Sequence, residues 1–149
     1  MADSRLSPLL VVEDSDEDFD TFQRAAAAAG LANPIQRAID GDACIELLNA
    51  TGDGLVERPV LVFMDLNTPG SDGRDALQTL KADPAFSSIP VVVFSTSANP
   101  RDIESCYRVG ASAYHVKPVR YEDHLRLLLG VFAYWLGSVT LPGMEGGDA

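Results

Sequence analysis

The stretch from Pro59 to Gly73 constrains the fold more than any other part of the sequence. An unbroken apolar run, Val-Leu-Val-Phe-Met at 60–64, leads directly into Asp65, and a turn rich in Asn, Pro and Gly follows. A run of this kind between turn-forming residues is typical of a strand that is buried on both faces. Such strands form the centre of parallel α/β sheets, which bind ligands at the carboxyl ends of their strands. Asp65 is therefore predicted to lie at that edge, although an isolated aspartate there could equally cap a turn.

Further strand candidates alternate with helix candidates along the chain. The strands are expected at 9–12, 34–39, 90–95 and 113–116, and the helices at about 15–29, 40–50, 73–81, 101–109 and from 120 onward. This alternation predicts a parallel sheet with helices on both faces, joined by right-handed crossovers. We therefore predict a doubly wound (βα)5 domain of the α/β class.

Polar side chains follow four of these predicted strands. Glu13 and Asp14 come after the first strand, Asp65 after the third, Ser95 after the fourth and Lys117 after the fifth. Three carboxylates at one edge repel one another unless a cation lies among them, and a hard, oxygen-preferring ion such as Mg²⁺ fits such a site. A carboxylate beside a metal can attack phosphorus, and a lysine and a hydroxyl can stabilise the transferred group. The sequence thus predicts a site that accepts a phosphoryl group.

Together these motifs resemble the receiver domain of bacterial response regulators, the CheY-like family, over about residues 8–130. The resemblance is carried by the acidic pair after the first strand, Asp65 with Pro69 and Gly73 at the family spacing, the hydroxyl residue that closes the fourth strand, and Lys117-Pro118. It implies a flavodoxin-like sheet of five parallel strands in the order 2-1-3-4-5. It also implies a receiver domain over 8–130, with the end of the fifth helix and a C-terminal extension over 131–149.

The resemblance assigns a role to each matching residue. Asp65 would be the phosphoacceptor, and Lys117 would pair with the phosphoryl group. Mg²⁺ or another divalent cation would be bound by Glu13, Asp14, Asp65 and the backbone carbonyl of Asn67. Glutamate at position 13 departs from the more usual aspartate but keeps the carboxylate chemistry.

A conformational switch is implied as well. Ser95, where threonine is more usual in the family, would move to bond a phosphoryl oxygen. Tyr114, three residues before Lys117, would then turn inward and change the surface formed by the fourth helix, fifth strand and fifth helix. The Lys117–Pro118 peptide bond would be cis, as in the family.

Three longer matches narrow the resemblance to regulators paired with bacterial and cyanobacterial phytochromes. They are Val-Glu-Asp-Ser at 12–15, Met-Asp-Leu-Asn-Thr-Pro-Gly at 64–70 and Phe-Ser-Thr-Ser-Ala-Asn-Pro at 94–100. We therefore expect a single-domain response regulator of a two-component system, without an output domain, whose partner is a phytochrome-type sensor histidine kinase. It would not be an enzyme beyond self-phosphotransfer or autodephosphorylation.

Two other functions fit parts of the same sequence. Asp65-Leu66-Asn67-Thr68 faintly resembles the Asp-x-Asp-x-Thr loop of haloacid-dehalogenase-type phosphatases, which also use an aspartyl nucleophile and Mg²⁺. Their second acid works as a general acid and base, which Asn67 cannot do. A receiver used only for docking, without phosphorylation, is the other alternative, and the full set of site residues disfavours it.

The fifth helix is expected to take part in dimerisation. Residues 127–136, Leu-Leu-Leu-Gly-Val-Phe-Ala-Tyr-Trp-Leu, include no charged side chain, so the helix must be covered on more than its sheet-facing side. We predict a homodimer whose interface contains Leu125, Leu128, Phe132, Trp135 and Leu136. Alternatively, residues 138–142 fold back over the helix, or residues 138–141 form a strand that reaches a partner. Residues 143–149 are expected to be disordered.

Composition excludes several other classes. Twenty-two acidic and eleven basic residues give a net charge of -11, which argues against nucleic-acid binding. The chain has no apolar run of 18 residues, so no membrane span is expected. Cys44 and Cys106 have no metal-binding spacing, and with no signal peptide in view they favour reduced thiols in a cytoplasmic protein.

Overall fold

The computed structural model describes residues 7–67 and 73–143. Strands and helices alternate strictly, as β1 Leu9–Val12, α1 Asp16–Ala28, β2 Ile35–Ala38, α2 Gly41–Gly52, β3 Leu61–Asp65, α3 Gly73–Ala82, β4 Val91–Ser95, α4 Pro100–Val109, β5 Ala113–Val116 and α5 Tyr121–Phe132. A π-helical turn, Ala133–Ser138, continues directly from α5. Within the described residues the strands form one parallel sheet in the order β2-β1-β3-β4-β5, which confirms the predicted fold class.

The central strands are buried on both faces, as their sequences predict. Every residue of β1, β3 and β4 is buried, and successive side chains enter opposite cores. In β3, Val62 and Met64 pack with residues of α2 and α3, whereas Leu61 and Phe63 pack with residues of α1 and α5. Because these strands run parallel, the polar residues that follow them lie together at the carboxyl edge of the sheet.

Local sequence signals fix where the helices begin. The side chain of Ser15 accepts a hydrogen bond from the Asp18 N–H at the start of α1, and Asp40 does the same for Ala43 in α2. Such caps satisfy backbone donors that would otherwise lack partners. As a result, α1 begins within three residues of Glu13, and its first turn lies beside the polar edge of the sheet.

The end of α5 corrects part of the predicted dimer interface. Leu128 is 2% exposed and Phe132 is 1% exposed, and both belong to the core between α1, α5 and the sheet. The Phe132 ring contacts Phe22 and Phe63 edge to face, with centroid distances of 5.1 and 5.7 Å. Their assignment to an intermolecular interface is therefore wrong, because an apolar helix face cannot serve the chain's own core and a partner at once.

Residues after α5 fold back into the core that α5 joins within the same chain. Leu141 is fully buried in the α1–α5 core, and Val139 packs against that core. This arrangement is the fold-back alternative, and residues 139–141 are not a strand. The division of the chain after residue 130 stays a prediction, and most of the predicted disordered tail lies outside the described residues.

Candidate functional site

Asp65 ends β3 and is only 5% exposed. Both of its carboxylate oxygens accept hydrogen bonds from groups of neighbouring segments. Oδ1 accepts from the backbone N–H of Asn67 at 2.8 Å, and Oδ2 accepts from Nζ of Lys117 at 2.8 Å. The carboxylate is thus held in one orientation at the carboxyl edge of the sheet.

Lys117 follows β5 and inserts its ammonium among three carboxylates. Nζ lies 2.8 Å from Asp65 Oδ2, 3.1 Å from Glu13 Oε1 and 2.6 Å from Asp18 Oδ2. Burial of this side chain, which is 10% exposed, favours the neutral amine, but the hydrogen bonds and charges of the carboxylates outweigh it and raise the lysine pKa. The ammonium therefore stays charged and neutralises part of the acidic cluster.

The surroundings of Glu13 make its carboxyl group hard to ionise. Burial raises its pKa to about 8, the hydrogen bond with Asp65 and the Asp65 charge add to the rise, and Lys117 opposes it. Oε2 also accepts a hydrogen bond from the Ser15 N–H at 3.2 Å. Without a further cation, the Glu13 carboxyl beside Asp65 therefore does not ionise easily near neutral pH.

The donor set fits a hard divalent cation. Glu13, Asp18 and Asp65 each offer a carboxylate oxygen, and these oxygens lie within 4.8 Å of one another. Several negatively charged oxygens at this spacing match the preference of Mg²⁺, which binds to one or two carboxylates and keeps some of its waters. The raised pKa of Glu13 points the same way, because a cation would remove the repulsion that causes part of it.

Asp14 and Asn67 lie differently from the other predicted metal ligands. The side chain of Asp14 is exposed, and Asp14 is not a member of the described acidic group. Asn67 is exposed and connects two loops, because its N–H bonds Asp65 and its Oδ1 accepts from the Thr96 N–H at 2.8 Å. Metal binding by either residue stays a prediction.

Asp18 is a member of the site that the sequence pattern missed. It stands in the first turn of α1, where an acidic residue after a capping serine is expected to interact only with the helix end. The sequence signal that could have identified it is its position five residues after Glu13. Because α1 begins at Asp16, Asp18 is the third residue of the capped first turn, and this turn brings it back towards the edge of the sheet.

Ser95 and Tyr114 both contact the loop that follows β4. Ser95 is 3% exposed, and its hydroxyl oxygen accepts a hydrogen bond from the Ser97 N–H at 3.1 Å. The half-buried Tyr114 donates its hydroxyl hydrogen to the Ser97 carbonyl oxygen at 2.8 Å. The two predicted switch residues are therefore connected through a single residue, Ser97.

The peptide bond between Lys117 and Pro118 is trans, so the expected cis bond is wrong. Proline makes the cis form accessible, but trans is still favoured by about 0.5–1 kcal/mol when nothing selects cis. The Lys117 N–H donates a hydrogen bond to the Ser95 carbonyl oxygen at 2.7 Å.

Gly73, one of the two residues whose spacing from Asp65 matches the family, packs closely against Asp65 and Leu66. A Cβ at this position would lie 2.9 Å from Leu66 Cδ2 and 3.3 Å from the Asp65 carbonyl oxygen. The start of α3 can approach the acceptor strand this closely only without a side chain. Pro69, the other of these two residues, lies outside the described residues.

Comparisons with known proteins agree with this geometry. The family model described as the response regulator receiver domain matches residues 9–128. The response regulator Rcp1 of Synechocystis sp. is 33% identical over 135 residues, which are 90% of this chain and 92% of Rcp1. No described helix combines the length and the hydropathy that a membrane crossing needs.

Solved structures give the same result. The phosphorylated cyanobacterial phytochrome response regulator RcpA superposes with a TM-score of 0.86 at 33% identity, over 92% of this chain and 99% of that one. The Mn²⁺-bound form of Rcp1 gives the same TM-score, identity and coverage. That relative binds a divalent cation, and the carboxylates at this edge of the sheet are suited to one.

Proposed function

The chain belongs to the response regulator receiver domain family, and we propose that it accepts a phosphoryl group on Asp65 from a phytochrome-type sensor histidine kinase. The observation that carries the proposal is the buried Asp65 carboxylate, hydrogen bonded to Lys117 beside two further carboxylates. The kinase class follows from the similarity to Rcp1 and RcpA, the latter described as a phytochrome response regulator.

Phosphoryl transfer to this site has simple requirements. One Asp65 oxygen forms a bond to phosphorus while the bond from phosphorus to the kinase histidine nitrogen breaks, and the leaving imidazole takes up a proton. The Lys117 ammonium, 2.8 Å from Asp65 Oδ2, is close enough to follow the charge onto a phosphoryl oxygen. A divalent cation held by Glu13 and Asp65, with Asp14 and the Asn67 carbonyl as predicted further ligands, would neutralise charge on the transferred group.

In this transfer the chain is a substrate of the kinase and carries the signal as a phosphoryl group on Asp65. Because the chain belongs to the receiver family, we do not propose that it is a haloacid-dehalogenase-type phosphatase. We propose no catalytic activity beyond the phosphorylation and dephosphorylation of the chain itself. Asn67 supports this view, because its amide side chain accepts a hydrogen bond from the Thr96 N–H and cannot act as an acid or a base.

Ser97 would transmit the effect of phosphorylation from Ser95 to Tyr114. When the Ser95 hydroxyl turns towards a phosphoryl oxygen, the Ser97 N–H loses its partner, and the Tyr114 hydroxyl is bonded to the same residue. The charge change at Asp65 would thus reach α4, β5 and α5. Hydrogen exchange on phosphorylated wild type and Ser95→Ala tests this step. We expect altered protection of residues 97–116 in wild type only, and the same change in Ser95→Ala would contradict it.

We also propose a homodimer through the end of α5. With Leu128 and Phe132 in the core, the residues left for an interface are Leu125, Trp135 and Leu136, all half-buried. Sedimentation equilibrium tests the proposal with Trp135→Glu. Leu55→Glu is the control, since Leu55 is 79% exposed in a loop. A dimer that dissociates only in Trp135→Glu is expected, and a wild-type monomer would refute it.

The kinase class is tested by phosphotransfer from a purified phytochrome-type histidine kinase carrying labelled phosphohistidine. Label should move to the wild-type chain and not to Asp65→Asn. If a small phosphodonor labels Asp65 while phytochrome-type kinases do not, the acceptor assignment holds and the kinase class is wrong.

A further inference from the structure

Asp18 makes the shortest ion contact of the candidate site, although the family motifs that identify the site do not include it. Its Oδ2 lies 2.6 Å from Lys117 Nζ, against 2.8 Å for Asp65 and 3.1 Å for Glu13. Its side chain is 31% exposed, whereas those of Asp65 and Glu13 are 5% and 8% exposed. Asp18 is therefore the most exposed of the three carboxylates that contact the ammonium.

The start of α1 fixes Asp18 in this place. The Asp18 N–H donates to Ser15 Oγ at 3.1 Å, and the Ser15 N–H donates to Glu13 Oε2 at 3.2 Å. One serine thus ties the first turn of the helix to the loop that carries Glu13. A carboxylate placed by a helix turn keeps its position better than one on a free loop, because the backbone beneath it is already ordered.

The Lys117 ammonium cannot keep all three of its carboxylate contacts unchanged during phosphoryl transfer. An ammonium has three hydrogen-bond donors, and all three are used when Glu13, Asp18 and Asp65 surround it. Of the three clustered carboxylates, Glu13 and Asp65 are the two that we propose hold the divalent cation, and Asp65 also supplies the oxygen that bonds phosphorus. Asp18 is the one partner that the ammonium can keep unchanged.

We propose that Asp18 is a positioning residue that holds the Lys117 ammonium beside Asp65 during phosphoryl transfer. The inference rests on the proposed function and adds to it a residue outside the family motifs. Asp18 acts through the lysine and has no direct contact with the transferred group. Its loss leaves the ammonium charged but free to take several positions, which weakens stabilisation of the phosphoryl oxygens.

The experiment compares Asp18→Asn, which is isosteric, with Asp20→Asn. Asp20 lies on the same helix, is exposed and pairs with Arg24, so its change removes an equal charge without touching Lys117. Two quantities are measured on the full chain: the rate of phosphoryl adduct formation at saturating Mg²⁺ with a small phosphodonor, and the Mg²⁺ dissociation constant by calorimetry. Asp18→Ser is measured alongside, in case the amide of Asn disturbs the fold.

We expect Asp18→Asn to slow adduct formation about 10-fold, the loss of one charge-assisted hydrogen bond. The rate of Asp20→Asn should stay within about twofold of wild type, and both variants should keep Mg²⁺ dissociation constants within about threefold of each other. This combination supports a positioning role, because a structural defect or a lost charge would not separate the rate from the affinity.

Three results would overturn the inference. The first is an unchanged rate in Asp18→Asn and Asp18→Ser. The second is equal slowing in Asp20→Asn, which would make the effect one of overall charge. The third is Mg²⁺ binding more than about 10-fold weaker in Asp18→Asn than in Asp20→Asn, which would make Asp18 a metal ligand. A wild-type protein that forms no adduct with any donor would instead contradict the proposed function.

Discussion

Glu13→Gln is expected to remove most of the pH dependence of stability that the metal-free site causes. The pKa of Glu13 is raised from 4.5 to about 8, first by burial and then by Asp65, so the folded protein binds more protons than the unfolded chain between these values. The free energy of unfolding therefore falls as the pH rises through this window and is fully retained below it. At about 1.4 kcal/mol for each pH unit, the loss is at most about 5 kcal/mol.

Urea unfolding between about pH 5 and pH 9, in the presence of a chelator, measures this loss. Wild type should lose stability over the range relative to Glu13→Gln, because glutamine has the same shape and cannot ionise. Glu46→Gln is the matched control, since Glu46 is exposed on α2, and its profile should follow wild type. Excess Mg²⁺ should restore wild-type stability at high pH and help Glu13→Gln much less. Parallel profiles for wild type and Glu13→Gln in chelator would show that Glu13 does not cause the pH dependence.

Three further predictions test the packing around the site. Leu141→Ala should lower the free energy of unfolding by about 2–5 kcal/mol, because Leu141 is fully buried in the α1–α5 core; an unchanged urea midpoint would mean that residues 139–141 do not pack there. Gly73→Ala should cost about 1–3 kcal/mol through its contact with Leu66, whereas Gly52→Ala, with open space around it, should cost far less in the same assay. Ser15→Ala should lower stability by about 1 kcal/mol, because its hydroxyl oxygen caps α1 at the Asp18 N–H, and should leave Mg²⁺ affinity unchanged, because the Ser15 N–H that bonds Glu13 remains; an unchanged urea midpoint would show that the cap does not hold the start of the helix.

The fold could be predicted from the sequence because its signals are local and repeated. Buried strands such as 61–65 are apolar throughout, and the turns between elements carry Gly, Pro and capping residues, so the alternation of strands and helices is visible without tertiary information. Once the sheet is parallel, Glu13, Asp65 and Lys117 must meet at one edge, and the structure brings them within hydrogen-bonding distance.

The parts that the sequence did not predict depend on side-chain direction. Asp18 resembles an ordinary acidic residue of a first helix turn, and only the angle of α1 against the sheet directs it to Lys117. Leu128 and Phe132 have the same apolar character as the half-buried Trp135 and Leu136, so the pattern could not separate core from surface on this helix. The trans bond before Pro118 is likewise a choice between two accessible isomers.

Phosphorylation of Asp65 is tested by intact mass after incubation with a small phosphodonor, comparing wild type with Asp65→Asn. We expect one acid-labile phosphoryl adduct on wild type, which requires Mg²⁺ and is absent from Asp65→Asn. The side chain of Asp65 is buried and held by Lys117, so no other carboxylate should replace it. An adduct of equal yield on Asp65→Asn would show that Asp65 is not the acceptor, and no adduct on wild type from either a small donor or a histidine kinase would show that the chain is not a phosphoacceptor.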